Sequence, residues 1–285
     1  MKSPTSSRAG ANKILSTIAQ GYTDSKFVGC HVMPMVATEE RGGLFVVFDD
    51  SQFKLYDDTR AAGAAYNAID SGYEGKPYAL RSKGLRYPIS IERWEEAEKI
   101  GIDYGKIATK TLRQQVMRNI EVEQATLLTD ATKYNSNNTE ALSGTSQWSH
   151  ADSRPSADIR DWKNAVSAQI EVEPNCILLG HEVFQALCEH PTILDRLKYT
   201  SKESVTAEIL QGLWNVDKVV VGSAIVDRGN GVKSRIWGKN VILAYVNPEG
   251  LESGKIPFKA MGLTDKQTPS FAYTYVDRRH PQVFN

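Results

Sequence analysis

From about residue 90 to about residue 130 the sequence carries one unbroken helical pattern, and few folds can accommodate an element of that length. Apolar residues recur there at spacings of mostly three and four, which is the period of a single helix face. These residues are Trp94, Ala97, Tyr104, Ile107, Ala108, Leu112, Val116, Ile120 and Leu127. No proline interrupts the pattern, and about forty helical residues would reach about 60 Å. Because helices in globular proteins average roughly a dozen residues, a helix of this length indicates an architectural element.

The start of this predicted helix is marked by Ser90, a good N-cap residue, and by glutamates in the first turns, where the helix dipole stabilises them. Gly101 and Gly105 each lower the stability of a helix by about 1 kcal/mol relative to alanine, and they predict a bend or a break. Trp94 begins the apolar face. We therefore expect Trp94 to be buried, and its replacement by alanine to cost about 3–5 kcal/mol.

The N-terminal part of the chain carries few large aliphatic residues. Residues 1 to about 26 are rich in Ser, Thr, Gly and Ala, and they predict an arm that is extended or disordered unless a partner binds it. The β-rich run from Gly42 to Phe48 leads through two aspartates into a second run, Phe53 to Tyr56, and together they predict a hairpin. From Arg60 to Gly75 alanine and glycine dominate, so this stretch cannot build its own core.

Opposite charges are segregated along the first half of the chain. Between Glu39 and Glu74 there are eight acidic residues against three basic ones, a balance of minus five. Between Lys76 and Arg118 there are ten basic residues against five acidic ones, a balance of plus five. One interpretation is solvated faces, and the other is electrostatic complementarity between neighbouring copies of the chain.

The remaining segments predict short strands and helices and so an α+β fold class. Leu85, Tyr87, Ile89 and Ile91 alternate with other residues, which predicts a half-buried strand. Residues 133–150 are polar and predict a loop. The further predicted elements are an amphipathic helix opening at Pro155, a strand at Ile177–Leu179, helices at His181–His190 and Val205–Trp214, two strand runs at Val216–Val226 and Arg235–Val246 joined across Asn230-Gly231, and a final returning strand with Phe271, Tyr273 and Tyr275.

The overall composition is that of an ordinary globular protein. The 34 basic and 34 acidic residues give a net charge of zero, which excludes a strongly basic protein that wraps nucleic acid. A chain of this mass can bury about three-quarters of its unfolded surface, enough for a sizeable core. The three cysteines show no C-x-x-C spacing and predict a reducing environment. No apolar run approaches the roughly 20 residues of a membrane span, and the first thirty residues lack the apolar region of a secretion signal.

The search for a chemical site gives no constellation of catalytic residues. His181-Glu182 begins like a zinc-protease helix, but Gln185 stands where the second histidine would be. Cys188 is seven residues from His181, about 10 Å along a helix, so we interpret it as a buried structural cysteine. Phosphate-loop and nucleophile-elbow motifs are absent, and the acid pairs at 49–50 and 57–58 are interpreted as solvated loop acids. We therefore predict no catalytic, cofactor-binding or metal-binding residues.

The order of these elements resembles the major capsid protein of tailed bacteriophages, which has the HK-ninety-seven-like fold. The resemblance in residues is greatest in the second half, and the matching residues are Pro174-Asn175, Leu178-Leu179-Gly180, His190-Pro191, Asp195-Arg196, Tyr199, Trp214, Val216-Asp217, Val219-Val220-Val221-Gly222, Ile236-Trp237-Gly238, Leu243 and Tyr245. The first half is similar in layout more than in residues.

The resemblance implies a division of the whole chain. An N-terminal arm would occupy 1–35 and an extended β-hairpin loop 40–80. A peripheral domain would take 81–173 and 254–285, with a long spine helix at about 90–130. An axial α+β domain would occupy 174–253.

The function implied by the resemblance is self-assembly without catalysis. Many copies would form hexamers and pentamers that close an icosahedral head around double-stranded DNA, in the virion and after assembly in the bacterial cytoplasm. Portal, scaffold and cement proteins are the implied partners, DNA would be contacted without sequence specificity, and no membrane or cofactor is implied. Two alternatives stay open: an encapsulin-type compartment shell, and a cytosolic α+β enzyme that uses Cys188 or His181.

Overall fold

The computed structural model describes residues 26–34, 36–38, 41–48, 54–57, 59, 73–134, 136–198, 204–229, 231–246 and 262–265. Within these ranges the α-helices are α1 (Ile91–Ile100), α2 (Tyr104–Leu128), α3 (Pro155–Ile170), α4 (His181–Cys188), α5 (Pro191–Leu197) and α6 (Ala207–Trp214). The strands are β1 (Val36–Thr38), β2 (Gly42–Phe48), β3 (Tyr73–Ala79), β4 (Cys176–Gly180), β5 (Lys218–Gly222), β6 (Ile225–Asp227), β7 (Lys233–Arg235), β8 (Val241–Ala244) and β9 (Gly262–Asp265). The chain is therefore mixed helix and sheet, and the predicted α+β class is confirmed.

The chain divides into two compact units. The larger contains residues 26–34 and the described residues between 83 and 246, with all six helices that the structure describes. The smaller contains the described residues from 36 to 82 and strand β9. In the smaller unit β2 pairs with β3 in antiparallel orientation, and β1 pairs with β9 in parallel orientation.

The core of the larger unit is built around a three-stranded sheet in the order β5-β4-β8. Strand β4 is central, parallel to β5 and antiparallel to β8, and its five residues are all buried. Alternate residues point to opposite faces, so Ile177 and Leu179 join one apolar cluster while Cys176 and Leu178 join another. Helices α3 to α6 contribute to the first cluster, and the segment 26–34 and helix α2 contribute to the second.

The predicted long helix is present as two helices. Helix α1 ends at Ile100, Gly101 has a positive φ of 79°, and helix α2 restarts at Tyr104 and runs for 25 residues. Glycine adopts the left-handed conformation without the steric cost of a Cβ atom, and the Asp103 carboxylate accepts a hydrogen bond from the Lys106 amide as the new N-cap. The break predicted at Gly101 is confirmed, whereas Gly105 lies buried inside α2.

The prediction that Trp94 is buried is wrong. Its side chain is 41% exposed, and Ala97 is the buried hydrophobic residue of α1. The break at Gly101 separates α1 from the apolar face that α2 packs against the core, so the periodicity of α1 does not lead to burial within this chain.

Two strand predictions in the first half are also wrong. The partner of β2 is β3, with Phe48 opposite Tyr73 and Gly42 opposite Ala79, and not the run at 53–56. Of that run, residues 54–56 form no strand and Phe53 lies outside the described residues. The alternating residues from Leu85 to Ile91 form no strand either, because no other strand pairs with residues 80–90 in the part of the chain that the structure describes.

The predictions for the second half are largely confirmed. Helix α3, strand β4 and helix α6 lie where the periodicity places them. Proline 191 begins a new helix, α5, because the first helical position needs no amide hydrogen. The predicted hairpin joins β6 to β7 with positive φ at Gly229 and Gly231, while Asn230 lies outside the described residues. Each predicted long strand run is divided in two, because β5 and β8 pair with β4 instead of with each other.

Several other predictions fall on residues outside the described ranges. These include the arm up to residue 25, the aspartates at 49 and 50, and the final strand with Phe271, Tyr273 and Tyr275. Among the described residues, none of the helices combines the length and the apolar character that crossing a bilayer requires.

Candidate functional site

The most organised polar cluster of the larger unit surrounds Glu121 on helix α2, whose side chain is 1% exposed. Its carboxylate accepts hydrogen bonds from the backbone amides of Val28 and Gly29, both at 2.9 Å. It also accepts one from the indole Nε1 of Trp237, at 2.6 Å. One buried carboxylate therefore connects the segment 26–34, helix α2 and the chain that follows β7.

Burial sets the ionisation of this carboxylate. Removal from water raises the pKa of Glu121, and the three hydrogen bonds oppose that rise because each donor favours the charged form. Two of the three donors are the backbone amides of Val28 and Gly29, so the cluster holds residues 28 and 29 in place.

Gly29 is required at this point by a lack of space. A Cβ atom placed there would overlap the Gln124 side-chain oxygen and would lie 3.0 Å from the nearer carboxylate oxygen of Glu121. The Gln124 amide nitrogen donates to the Met33 carbonyl at 3.2 Å, while its buried oxygen has no hydrogen-bond donor. Helix α2 thus carries two buried polar residues, one turn apart, that bind the segment 26–34.

Apolar packing reinforces this attachment. Val28 and Val32 are buried in one cluster with Cys176, Leu178 and Trp237. The sequence analysis found no signal for this site, because a glutamate and a glutamine in a polar stretch of a helix look like a solvated face. The spacing of three residues between Glu121 and Gln124 is consistent with one face but does not identify its partner.

A second buried polar cluster centres on His190, the N-cap residue of helix α5. Its Nδ1 accepts a hydrogen bond from the Thr192 amide at 3.3 Å. Nε2 lies 2.9 Å from the Ser153 hydroxyl and 3.1 Å from the His150 carbonyl. These contacts attach the polar loop before α3 to the helix end, which is a structural role.

The thiol and imidazole considered for catalysis do not form a reactive pair. The Cys188 Sγ donates to the Val205 carbonyl at 3.7 Å, and burial raises the pKa of this thiol. His181 is the first residue of α4 and makes no hydrogen bond to Cys188. Burial also raises the pKa of Cys176 to about 11, so both thiols stay protonated at neutral pH.

Potential metal ligands are likewise scattered in the described part of the chain, where three or more histidine, cysteine or acidic side chains nowhere gather in one place. Of the two acid pairs, only Asp57 lies within the described residues. Hydrogen bonds from the Thr59 side chain and from the Thr59 amide, the latter at 2.9 Å, lower the pKa of its carboxyl group.

Large apolar side chains are exposed along one continuous stretch of sequence, from residue 85 to residue 107. We call this set the exposed apolar series, and its members are Leu85, Tyr87, Ile91, Trp94, Ile100, Ile102 and Ile107. Single exposed hydrophobic residues are ordinary, but a concentration of large ones in one stretch of the chain indicates a site of interaction. The series includes the first residues of the predicted apolar helix face.

The β2–β3 pair exposes an apolar side chain as well. The two strands form a separate two-stranded sheet among the described residues, and Leu44 on β2 is 69% exposed. An isolated two-stranded hairpin is marginally stable in water and needs packing against another surface. The exposed apolar side chains among the described residues therefore point to contacts with other molecules.

Comparisons with known proteins agree with this conclusion. The model of a family described as phage major capsid protein E matches residues 110–255. A protein named major capsid protein, from Burkholderia phage BcepMu, is 29% identical over 271 residues, which cover 95% of this chain and 84% of the relative. The crystal structure of a phage-related protein from Bordetella bronchiseptica RB50 is 33% identical with a TM-score of 0.70, covering 87% of this chain and 81% of that one.

Proposed function

Because the chain belongs to the phage major capsid protein E family, we propose that its copies assemble as hexamers and pentamers into an icosahedral head that encloses double-stranded DNA. The observation that carries this proposal is the apolar surface that a single copy of the chain leaves exposed. One copy leaves the exposed apolar series and Leu44 of strand β2 in water, and neighbouring copies would cover them.

The proposed division of the chain follows the HK-ninety-seven-like pattern. Residues 1–35 form the arm, 40–80 the extended loop, 81–173 and 254–285 the peripheral domain, and 174–253 the axial domain. Helix α2 has 25 residues and lies within the proposed peripheral domain, which supports its assignment as part of the spine helix. The sheet β5-β4-β8 with helices α4 to α6 supports an axial α+β domain, since all of these elements fall inside its range.

The attachment at Glu121 gives the arm a fixed base. Hydrogen bonds and apolar packing hold residues 28–33 on the larger unit, so the 27 residues that precede them start from a defined point. An arm with a fixed base can contact a neighbouring copy at a defined position. Segregated charge supports the same kind of contact, because the acidic stretch at 39–74 and the basic stretch at 76–118 attract each other between copies.

The proposal also includes partners other than further copies of the chain. A portal, a scaffold and a cement protein would act with the shell, and DNA would be contacted without sequence specificity. A subunit with zero net charge suits DNA that must be packed and later released, because a strongly basic lining would hold the phosphates. The protein then resides in the virion and assembles in the bacterial cytoplasm.

Electron microscopy of the purified full chain, together with sedimentation velocity, tests the proposal. Closed shells, or hexamer and pentamer rings, are expected. A chain that stays monomeric or dimeric under all conditions would contradict the proposal and favour an α+β enzyme. Shells that contain a protein cargo instead of DNA would favour an encapsulin-type compartment, so the contents of particles isolated from cells are measured as well.

A further inference from the structure

A cavity of about 370 Å³ lies within the larger unit, bordered by the segment 26–34, helix α2 and the β6–β7 hairpin. Among the lining residues that the structure describes, three are basic, Lys26, Arg118 and Arg235, and none is acidic. Phe27 and Ile225 supply apolar wall. Its volume lies in the range of about 300–1,000 Å³ that is common for ligand pockets.

The two arginines are only partly satisfied within the chain. Arg235 donates through Nη1 to the Ser223 carbonyl at 2.6 Å, and Arg118 donates through Nη1 to the Gln115 side chain at 3.0 Å. Among the residues that the structure describes, neither guanidinium has a carboxylate partner. Most of the N–H donors of both groups therefore remain for a ligand at the same cavity.

The residues that line the cavity indicate the chemical class of that ligand. Guanidinium groups bind carboxylates through paired hydrogen bonds, so the ligand carries acidic groups. The apolar wall from Phe27 and Ile225 favours a ligand with apolar side chains next to its carboxylates. A peptide with both kinds of side chain fits this lining better than the bare phosphates of a nucleic-acid backbone.

The chain itself contains a segment with that chemistry. Leu55 is fully exposed and Tyr56 is 37% exposed, and Asp57 and Asp58 follow them directly in sequence. Residues 55–58 lie in the acidic stretch 39–74, which has a charge balance of minus five. Arg118 is the last residue of the basic stretch 76–118, which has a charge balance of plus five. We propose that the cavity at Arg118 and Arg235 binds residues 55–58 of a second copy. The proposal rests on the self-assembly proposed above and assigns one contact within it.

Binding of a synthetic peptide to the full chain tests this contact directly. The probe is a fluorescent peptide with the sequence of residues 53–60, titrated onto unassembled chain at low salt. The variant with Arg118→Gln and Arg235→Gln is expected to bind the peptide about tenfold or more weakly, since it loses charge-assisted hydrogen bonds. The matched control is Arg160→Gln, which removes an exposed arginine that pairs with Asp161.

A charge reversal then tests the contact in assembly. Chains with Arg118→Glu and Arg235→Glu should fail to assemble, and adding Asp57→Arg and Asp58→Arg should restore assembly. Circular dichroism first confirms that each variant is folded. If the wild type forms shells and the arginine variants assemble and bind peptide as the control does, the proposed cavity contact is wrong while the shell function stands. If those variants lose affinity for duplex DNA but not for the peptide, the cavity is a phosphate site and the proposal is overturned.

Discussion

Replacing Glu121 by glutamine should destabilise the chain, although the two side chains have nearly the same shape. The carboxylate accepts three hydrogen bonds from Val28, Gly29 and Trp237 through two oxygens. An amide has a single oxygen, so its NH₂ group must face at least one of these donors. Leaving a buried hydrogen-bond donor without an acceptor costs about 1–3 kcal/mol, and the neutral amide regains part of this because it avoids burying a charge. We therefore expect a net loss of about 1–3 kcal/mol.

The assay is urea unfolding of the unassembled chain, followed by tryptophan fluorescence, with hydrogen exchange at residues 28 and 29. The matched control is Glu123→Gln, which lies on the same helix but pairs at the surface with Lys83. A surface pair contributes about 0–1 kcal/mol, so the control should stay near the wild type. Equal unfolding free energies for the two variants, with the amides of residues 28 and 29 still protected, would refute the reasoning.

The pH dependence of the same comparison gives a second measurement. The folded pKa of Glu121 is raised above its ordinary value of 4.5, so the folded chain holds this proton more tightly than the unfolded chain does. Its contribution to stability is therefore fully present below pH 4.5 and is lost as pH rises through the folded value. The stability advantage of the wild type over Glu121→Gln should accordingly be larger at pH 4.5 than at pH 7. An advantage that grows with pH would contradict the assigned cause, which is burial.

Three other substitutions are expected to give distinct results. Gly29→Ala should lower the thermal unfolding temperature because a Cβ atom has no space there, while Gly212→Ala, in an open helix position, should not lower it. Lys163→Met should cost about 1–3 kcal/mol in urea unfolding, because Lys163 is largely buried and its ammonium group donates to two backbone carbonyls at the C-terminal end of helix α6. Lys198→Met, which removes one partner of an exposed ion pair, should change the free energy of unfolding little. Trp94→Ala should change the stability of the unassembled chain by less than about 1.5 kcal/mol, since the side chain is 41% exposed, yet it should reduce shell formation measured by sedimentation. A large stability loss with normal assembly would contradict the intersubunit role of Trp94.

The elements of the second half could be predicted from the sequence because their signals are local. The run around Leu178 is apolar throughout and short, which is the pattern of a central strand, and β4 is buried on both faces. The helix opening at Pro155 has a local start signal and one apolar face. The break in the long helix could also be anticipated, since Gly101 tolerates the left-handed backbone that the turn requires.

The pairing of distant segments could not be predicted in the same way. The predicted hairpin used the nearest β-rich run, whereas β2 pairs with β3 across 24 intervening residues. The alternation from Leu85 to Ile91 and the apolar periodicity of α1 are real patterns, but within one chain they are not buried. Their apolar residues belong to the exposed apolar series, and patterns of this kind can reflect contacts that form only between copies.

The sequence alone determined the fold class, the elements around the central sheet and the similarity to capsid proteins, because these depend on the order and period of neighbouring residues. Only the tertiary structure decided that Glu121 binds residues 28 and 29 and Trp237, since these partners lie 92, 93 and 116 residues away along the chain. It also decided that Arg118 and Arg235 border one cavity. The physical reason is the same in both cases: a polar side chain has no periodic signal, and its role depends on which distant donor or acceptor the fold brings within hydrogen-bond distance.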